Sequence, residues 1–384
     1  MAEVVVPWSP RLQAYNPSED AQRPLRRGLA WDLLVHSGML DHPEINTVDP
    51  PSATVAQLER VHAGAYIRAV QRYSADPRRA MEWEAGQWGF VPGMDTVAGL
   101  GMHEAASDVC GAAITGARAA WNGPGRAFCP APAGLHHAMA NRASGFCIYN
   151  DCAVAVRELL DLGARRVAYI DIDAHHGDGV QWIFYSDPRV LTISVHEFAY
   201  GFFPGTGGIQ ETGSGEGEGA SLNVPLPPFA GDIPYLAAFE RVIVPAVTAF
   251  RPDVLVVHLG ADVHHADPLA HLQVTIPALE QIYTGLVDLA EGVSDGRLLA
   301  IAGGGYNPMT LGSLWALQLG ALSGHPAPDA LPDHWRSAAR TALGAEPPHD
   351  LREETSIDAD HERRAVADQE GLERVADAAA RIRR

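Results

Sequence analysis

The run Arg166-Val-Ala-Tyr-Ile-Asp-Ile-Asp-Ala-His-His-Gly-Asp-Gly179 ends an apolar stretch in three carboxylates and two imidazoles. Strand alternation puts Asp171 and Asp173 on one face, with about 6 to 7 Å between their Cα atoms. Burying such like charges without a counter-ion costs roughly several kcal/mol each, which weighs against these groups merely capping the next helix or bonding a turn. A metal ion satisfies the charge count. Asp173 and His175 are natural ligands, and Asp171 is better placed to orient neighbours.

A third ligand is expected from another strand end. Val254-Leu-Val-Val-His-Leu-Gly-Ala-Asp262 breaks at Gly260 and offers Asp262, with His264 and His265 directly behind it as second choices. His136 and His137 lie in the loop Ala133-Gly-Leu-His-His-Ala138, where paired imidazoles beside a metal suggest an acid and a base. Leu298-Leu-Ala-Ile-Ala-Gly-Gly-Gly-Tyr306 ends in glycines that let backbone approach a ligand and in a hydroxyl able to donate to an oxyanion.

These groups need a scaffold that brings several strand ends together. Short β-branched runs at Arg166–Asp173, Val190–Val195, Asp253–His258 and Leu298–Ala302 alternate with helical stretches at Phe146–Leu162, Tyr235–Phe250, Ile276–Val293 and Thr310–Leu322. That alternation predicts a doubly wound α/β domain with a mainly parallel sheet, whose carboxyl ends carry the ligands. The glycine-rich stretch 203–219 reads as a long loop; it has no lysine and opens no helix, so it is not a phosphate cradle. One domain is expected over residues 1–345, followed by a charged helical tail over 346–384 in which Leu372, Val375, Ala379 and Ile382 recur at helical spacing.

Composition narrows the function. A net charge of −19 repels a phosphate backbone and suits a cationic partner, so nucleic acid is not expected. Every basic residue is arginine; without lysine the chain can form no Schiff base and no Walker loop. Four cysteines, Cys110, Cys129, Cys147 and Cys152, and an N-terminus without signal-peptide character point to reduced thiols in the cytoplasm. Cys147 reads as a packed thiol. No apolar run reaches the roughly 20 residues of a membrane span, and no membrane partner is expected.

The segments GLHHAMANRASGFCIYND, YIDIDAHHGDGV, GFFPGTG, GADVHHADPLAHL and GGGYN, in this order, resemble the metal-dependent histone deacetylase superfamily and its bacterial members across residues 5–325. The resemblance implies an arginase/deacetylase-like sheet of about eight strands flanked by helices. It implies hydrolysis of the acetyl amide of N6-acetyl-lysine in a protein, with acetyl-CoA synthetase the expected target. Zn2+, with Fe2+ the alternative, would sit on Asp173, His175 and Asp262. His137 would be general base and acid, His136 its electrostatic partner and Tyr306 the oxyanion donor, with Asp171 and Asp178 orienting His136 and His137. Gly145, Phe146 and Phe203 would line the acyl-lysine channel, Asp95 would hold substrate backbone at the rim, and Arg26 would stand near an inner cavity. A monovalent cation such as K+ would involve Asp171, Asp173, His175, Ser194 and Val195.

The chain departs from the family at Asp20-Ala21, where many relatives have His-Pro, which affects the N-terminal loop and not the metal. The same chemistry would serve an acetylpolyamine, or the fold could bind acyl-lysine without cleaving it. An arginase-like two-manganese site would want a carboxylate at position 264, where His264 stands.

Overall fold

A computed structural model describes the chain except for residues 1–2, 19–21, 82, 92, 124, 131, 354–360 and 383–384, so the Asp20-Ala21 departure lies outside the described residues. Eight strands build one parallel sheet: β1 (Val4–Pro7), β2 (Ile45–Val48), β3 (Arg126–Cys129), β4 (Val167–Asp171), β5 (Val190–Glu197), β6 (Ser221–Leu226), β7 (Val254–Leu259) and β8 (Leu298–Ala302). Their spatial order is β2-β1-β3-β8-β7-β4-β5-β6, and every pairing is parallel.

The period of two explains how both faces become core. Ala168 and Ile170 of β4, Leu255 and Val257 of β7, and Leu298 and Ala300 of β8 pack into one apolar layer with helices Ile276–Ser294 and Leu311–Ser323. Their neighbours Val167, Tyr169, Val254, Val256, Leu299 and Ile301 face the opposite layer, against helices Met102–Asn122 and Asp151–Asp161. The central strands are buried on both sides, which is why they read as continuous β-branched runs.

Three expectations need correction. Strand β4 stops at Asp171, so Asp173 lies in the turn beyond it rather than on the strand. The helix expected from Phe146 begins at Asp151, because Gly145 and Phe146 take φ of 55° and 66° in a tight turn closed by Cys147 N–H donating to Ser144 O at 2.8 Å. Asn150 then caps the helix by accepting from Ala153 N at 2.8 Å.

The third concerns apolar length. The helical run Asp232–Phe250 is 19 residues, long and apolar enough to cross a membrane by length and composition alone. A π turn at Phe239–Ile243 joins its two halves, which is how a run interrupted by Glu240 and Arg241 reaches that length. Val242, Ile243 and Val247 bury its inner face in the core.

The tail forms a helix, His361–Ala379, that docks on the body. Val375 is fully buried in the main core, Leu372, Ala379 and Ile382 pack against that core, and Asp368 accepts from Gly231 N at 2.7 Å.

Candidate active site

The carboxyl ends of β3, β4, β7 and β8, neighbours around the sheet's centre, each release one element of the site. The turn after β4 carries Asp173 and His175, the turn after β7 carries Asp262, and β8 runs into Gly303–Tyr306. The long connection after β3 carries His136 and His137.

Asp173, His175 and Asp262 are all buried and converge. His175 Nδ1 lies 3.2 Å from Asp173 Oδ1 and 3.1 Å from Asp262 Oδ2. Asp173 Oδ2 accepts from Gly304 N and Asp262 Oδ1 from Ala174 N, both at 2.9 Å. Glycine is required at 304, because a Cβ there would stand 2.2 Å from Asp262 Oδ2. Burial and the charge of Asp173 push the Asp262 carboxyl up to about 7. Burial opposes charge on His175, yet its hydrogen bonds to Asp173 and Asp262 hold it well above the ordinary histidine value. Two buried carboxylates and one imidazole facing a common centre form a donor set suited to a divalent cation, so the residues present fit a metal. His264 is buried with its ring 4.3 Å from that of His265, and neither belongs to this donor group.

The two imidazoles are held by separate carboxylates. His136 Nδ1 is 2.8 Å from Asp171 Oδ2, and His137 Nδ1 is 2.7 Å from Asp178 Oδ1. Their ring centroids are 3.9 Å apart. Burial, then the neighbouring His137, lowers His136 to about 4. Asp171 also accepts from Tyr169 Oη at 2.7 Å and from Asp173 N at 3.1 Å, and lies 3.0 Å from His258 Nδ1. Burial works against that carboxylate, but His258 and His136 hold it well below the usual range.

One cavity joins these groups. It is lined by His136, His137, Gly145, Phe146, Asp173, His175 and Gly303–Tyr306, and reaches inward to Tyr15, Arg26 and Trp315. Phe203 meets the edge of His137 at 4.8 Å, Phe202 stacks on His175 at 5.0 Å, and Arg26 lies 5.0 Å over the ring of Tyr306. A non-glycine residue at positive φ is strained by about 1–2 kcal/mol. Three contacts hold the turn that contains Phe146: Asp95 Oδ2 accepts from Gly145 N at 3.1 Å, Thr96 Oγ1 from Phe146 N at 2.9 Å, and Tyr15 Oη donates to Phe146 O at 2.7 Å. Asp95 thus faces this turn. Ser194 and Val195 lie on β5 beneath the site, where Ser194 pairs with Asp171 and its Oγ is 2.9 Å from His196 Nδ1.

Several residues that the sequence reading passed over are built into the site. His258 interrupts an apolar strand, a visible signal; Asp171 raises it to about 9 against the effect of burial. Asp151 accepts from Gly134 N and Leu135 N, and Asn150 donates to His136 O and Ala138 O, so the pair fixes the histidine loop. Asp267 accepts from Tyr306 N at 2.7 Å. A separate donor group, His42, Glu44 and His325, lies on other elements, with its two rings stacked at 3.9 Å and His325 Nε2 3.0 Å from Glu44 Oε2.

Comparison with known proteins identifies the family. The family model described as histone deacetylase domain matches residues 20–322. The chain is 39% identical to the acetoin utilization protein AcuC of Bacillus subtilis (strain 168) over 352 residues, covering 89% of each chain. It is 36% identical to AcuC of Staphylococcus xylosus, over 81% of this chain and 80% of that one, and 37% identical to AcuC of Staphylococcus aureus (strain MSSA476), over 74% and 72%.

Proposed function

Since the chain belongs to the histone deacetylase family, we propose that it is a metal-dependent hydrolase of the acetyl amide of N6-acetyl-lysine in proteins. One observation carries the reading: two imidazoles, each backed by its own carboxylate, share a cavity with a buried cation-binding donor group. Asp173, His175 and Asp262 would hold the ion, zinc by preference and iron(II) as a substitute. A divalent cation held there would supply Lewis-acid polarisation of the acetyl carbonyl and would lower the pKa of the attacking water.

His137 is the group that moves protons. Its Nδ1 is occupied by Asp178, so Nε2 takes a proton from water as the new C–O bond forms and returns it to the lysine nitrogen as the C–N bond breaks. His136, held by Asp171, steadies charge beside it. Tyr306 donates to the oxyanion that develops on the acetyl oxygen. Phe146 and Phe203 flank the alkyl chain and exclude water, while the Gly145 carbonyl receives the amide proton. Asp95, by holding Gly145 N, sets that carbonyl and adds a contact to substrate backbone. A monovalent cation under the site would use Ser194, Val195, Asp171, Asp173 and His175.

The catalytic unit runs over residues 1–345, with the tail helix as an addition to it. Acetate release from an acetyl-lysine peptide tests the reading: it should vanish with chelator and return with zinc or iron(II). Fully metallated protein that releases no acetate from any acetyl-lysine peptide would overturn it.

A further inference from the structure

Away from the catalytic cavity, His42, Glu44 and His325 bring together the donor types of a metal site, and each is half-buried. Two turns set them in place. In His42-Pro43-Glu44-Ile45, Ile45 N donates to His42 O at 2.9 Å and the chain enters β2 directly, with Pro43 fixing φ inside the turn. Helix Leu311–Ser323 ends on Gly324 at φ 73°, and His325 follows between that glycine and Pro326, its N–H donating to Ser323 Oγ at 3.3 Å. Glu44 and His325 thus meet across 281 residues of chain, with His325 Nε2 3.0 Å from Glu44 Oε2. The ring of His42 stacks on that of His325 at 3.9 Å, and one nitrogen from each ring and one Glu44 oxygen all lie within 4.8 Å of one another.

We infer that these three side chains form a second metal site, for a divalent ion such as Zn2+, at the amino end of the sheet and opposite the catalytic centre. Donor spacing carries the inference. Two ligands about 2.1 Å from a tetrahedral ion stand about 3.4 Å apart. The 3.0 Å between His325 and Glu44 is close to the 3.1 and 3.2 Å that separate His175 from its two carboxylates in the catalytic donor group. An ion pair alone accounts for His325 and Glu44 but leaves the second imidazole unexplained. A histidine ring turns readily about χ2, so His42 can aim a nitrogen at the same centre. Two imidazoles and one carboxylate are a softer set than the catalytic one, so this site should favour Zn2+, Ni2+ or Cu2+ over Fe2+. Its place in the fold gives it a structural task. Helix Leu311–Ser323 starts at the wall of the catalytic cavity and runs about 20 Å to reach the site, where a bound ion ties its end to the edge strand β2.

The test titrates zinc into the full chain after it has been stripped by chelator, comparing wild type, His42→Ala, His325→Gln and Asp262→Asn by calorimetry and metal analysis. Wild type should take up a second equivalent beyond the catalytic one, and that equivalent should raise the thermal midpoint. His42→Ala and His325→Gln should each bind it at least about 100-fold more weakly, since losing a ligand costs more than the 10- to 100-fold of a disturbed support. Asp262→Asn should lose the other equivalent and keep this one, which separates the two sites whatever reaction the enzyme catalyses. A readout without substitutions at the site uses Cu2+ added to protein that already holds one equivalent of zinc: its electron paramagnetic resonance spectrum should show two imidazole nitrogens. Only one equivalent in the wild type, a second equivalent undiminished in both histidine variants, or a copper spectrum without paired imidazoles would overturn the site.

Discussion

At the scale of single residues, the site separates groups that hold from groups that act. Tyr306 lines the cavity without belonging to the Asp173, His175, Asp262 donor group, so its hydroxyl can be removed without touching metal affinity. Tyr306→Phe should therefore lower kcat by about 10² to 10³, the usual effect of losing one oxyanion donor, with metal content unchanged. Asp178 acts through His137 at 2.7 Å. Asp178→Asn keeps the size but weakens the acceptor, and should cost about 10- to 100-fold in rate with the metal retained. Metal analysis beside the kinetics separates these roles: ion loss in Asp178→Asn would move that residue into the binding group. The acting residues were legible in the sequence because they are polar groups past the ends of apolar strands. Of their supports, His258 shows as a polar break in an apolar strand, while Asp267 and Tyr15 give no local signal, since each reaches the site through contacts distant in the chain.

At the scale of elements, the strands were easier to read than what joins them. Leu298–Ala302 matches β8 residue for residue, because a two-faced buried strand leaves an unbroken apolar run. The start of helix Asp151–Asp161 was misplaced because apolar residues 146–149 resemble a first helical turn, and only Gly145 signals the positive φ. That junction depends on His62, whose Nδ1 is 3.0 Å from Met139 O and whose Nε2 accepts from Asn150 N at 2.9 Å. Burial lowers His62 from 6.5 to about 4. Below pH 6.5 the unfolded chain takes the proton first, so stability is fully present above that pH and is lost as pH falls toward 4. The loss amounts to about 3 kcal/mol from this residue alone. His62→Gln should flatten that part of the profile in urea unfolding followed between those pH values. An unaltered slope would mean that His62 is not the group being protonated.

At the scale of the whole molecule, the sheet has two edges, and the tail helix deals with one of them. Strand β6 ends the sheet, and an edge strand presents unpaired backbone groups. Helix His361–Ala379 lies against it, with Arg374 Nη1 donating to Pro225 O at 3.3 Å and Val375 buried in the main core. The helical spacing of Leu372, Val375, Ala379 and Ile382 made this helix readable; its seat was not, because nothing local selects β6 over another surface. If the helix belongs to the cooperative unit, a charge at its buried face must destabilise the entire protein. Val375→Asp should cost on the order of 3–5 kcal/mol, the range for an uncompensated buried charge. Val366, on the same helix and 65% exposed, provides the control: Val366→Asp should stay within about 0.5 kcal/mol. Thermal unfolding of both variants measures this. A normal midpoint for Val375→Asp, with proteolysis that trims only the tail, would make the helix a separable appendage and leave β6 to be covered by something else.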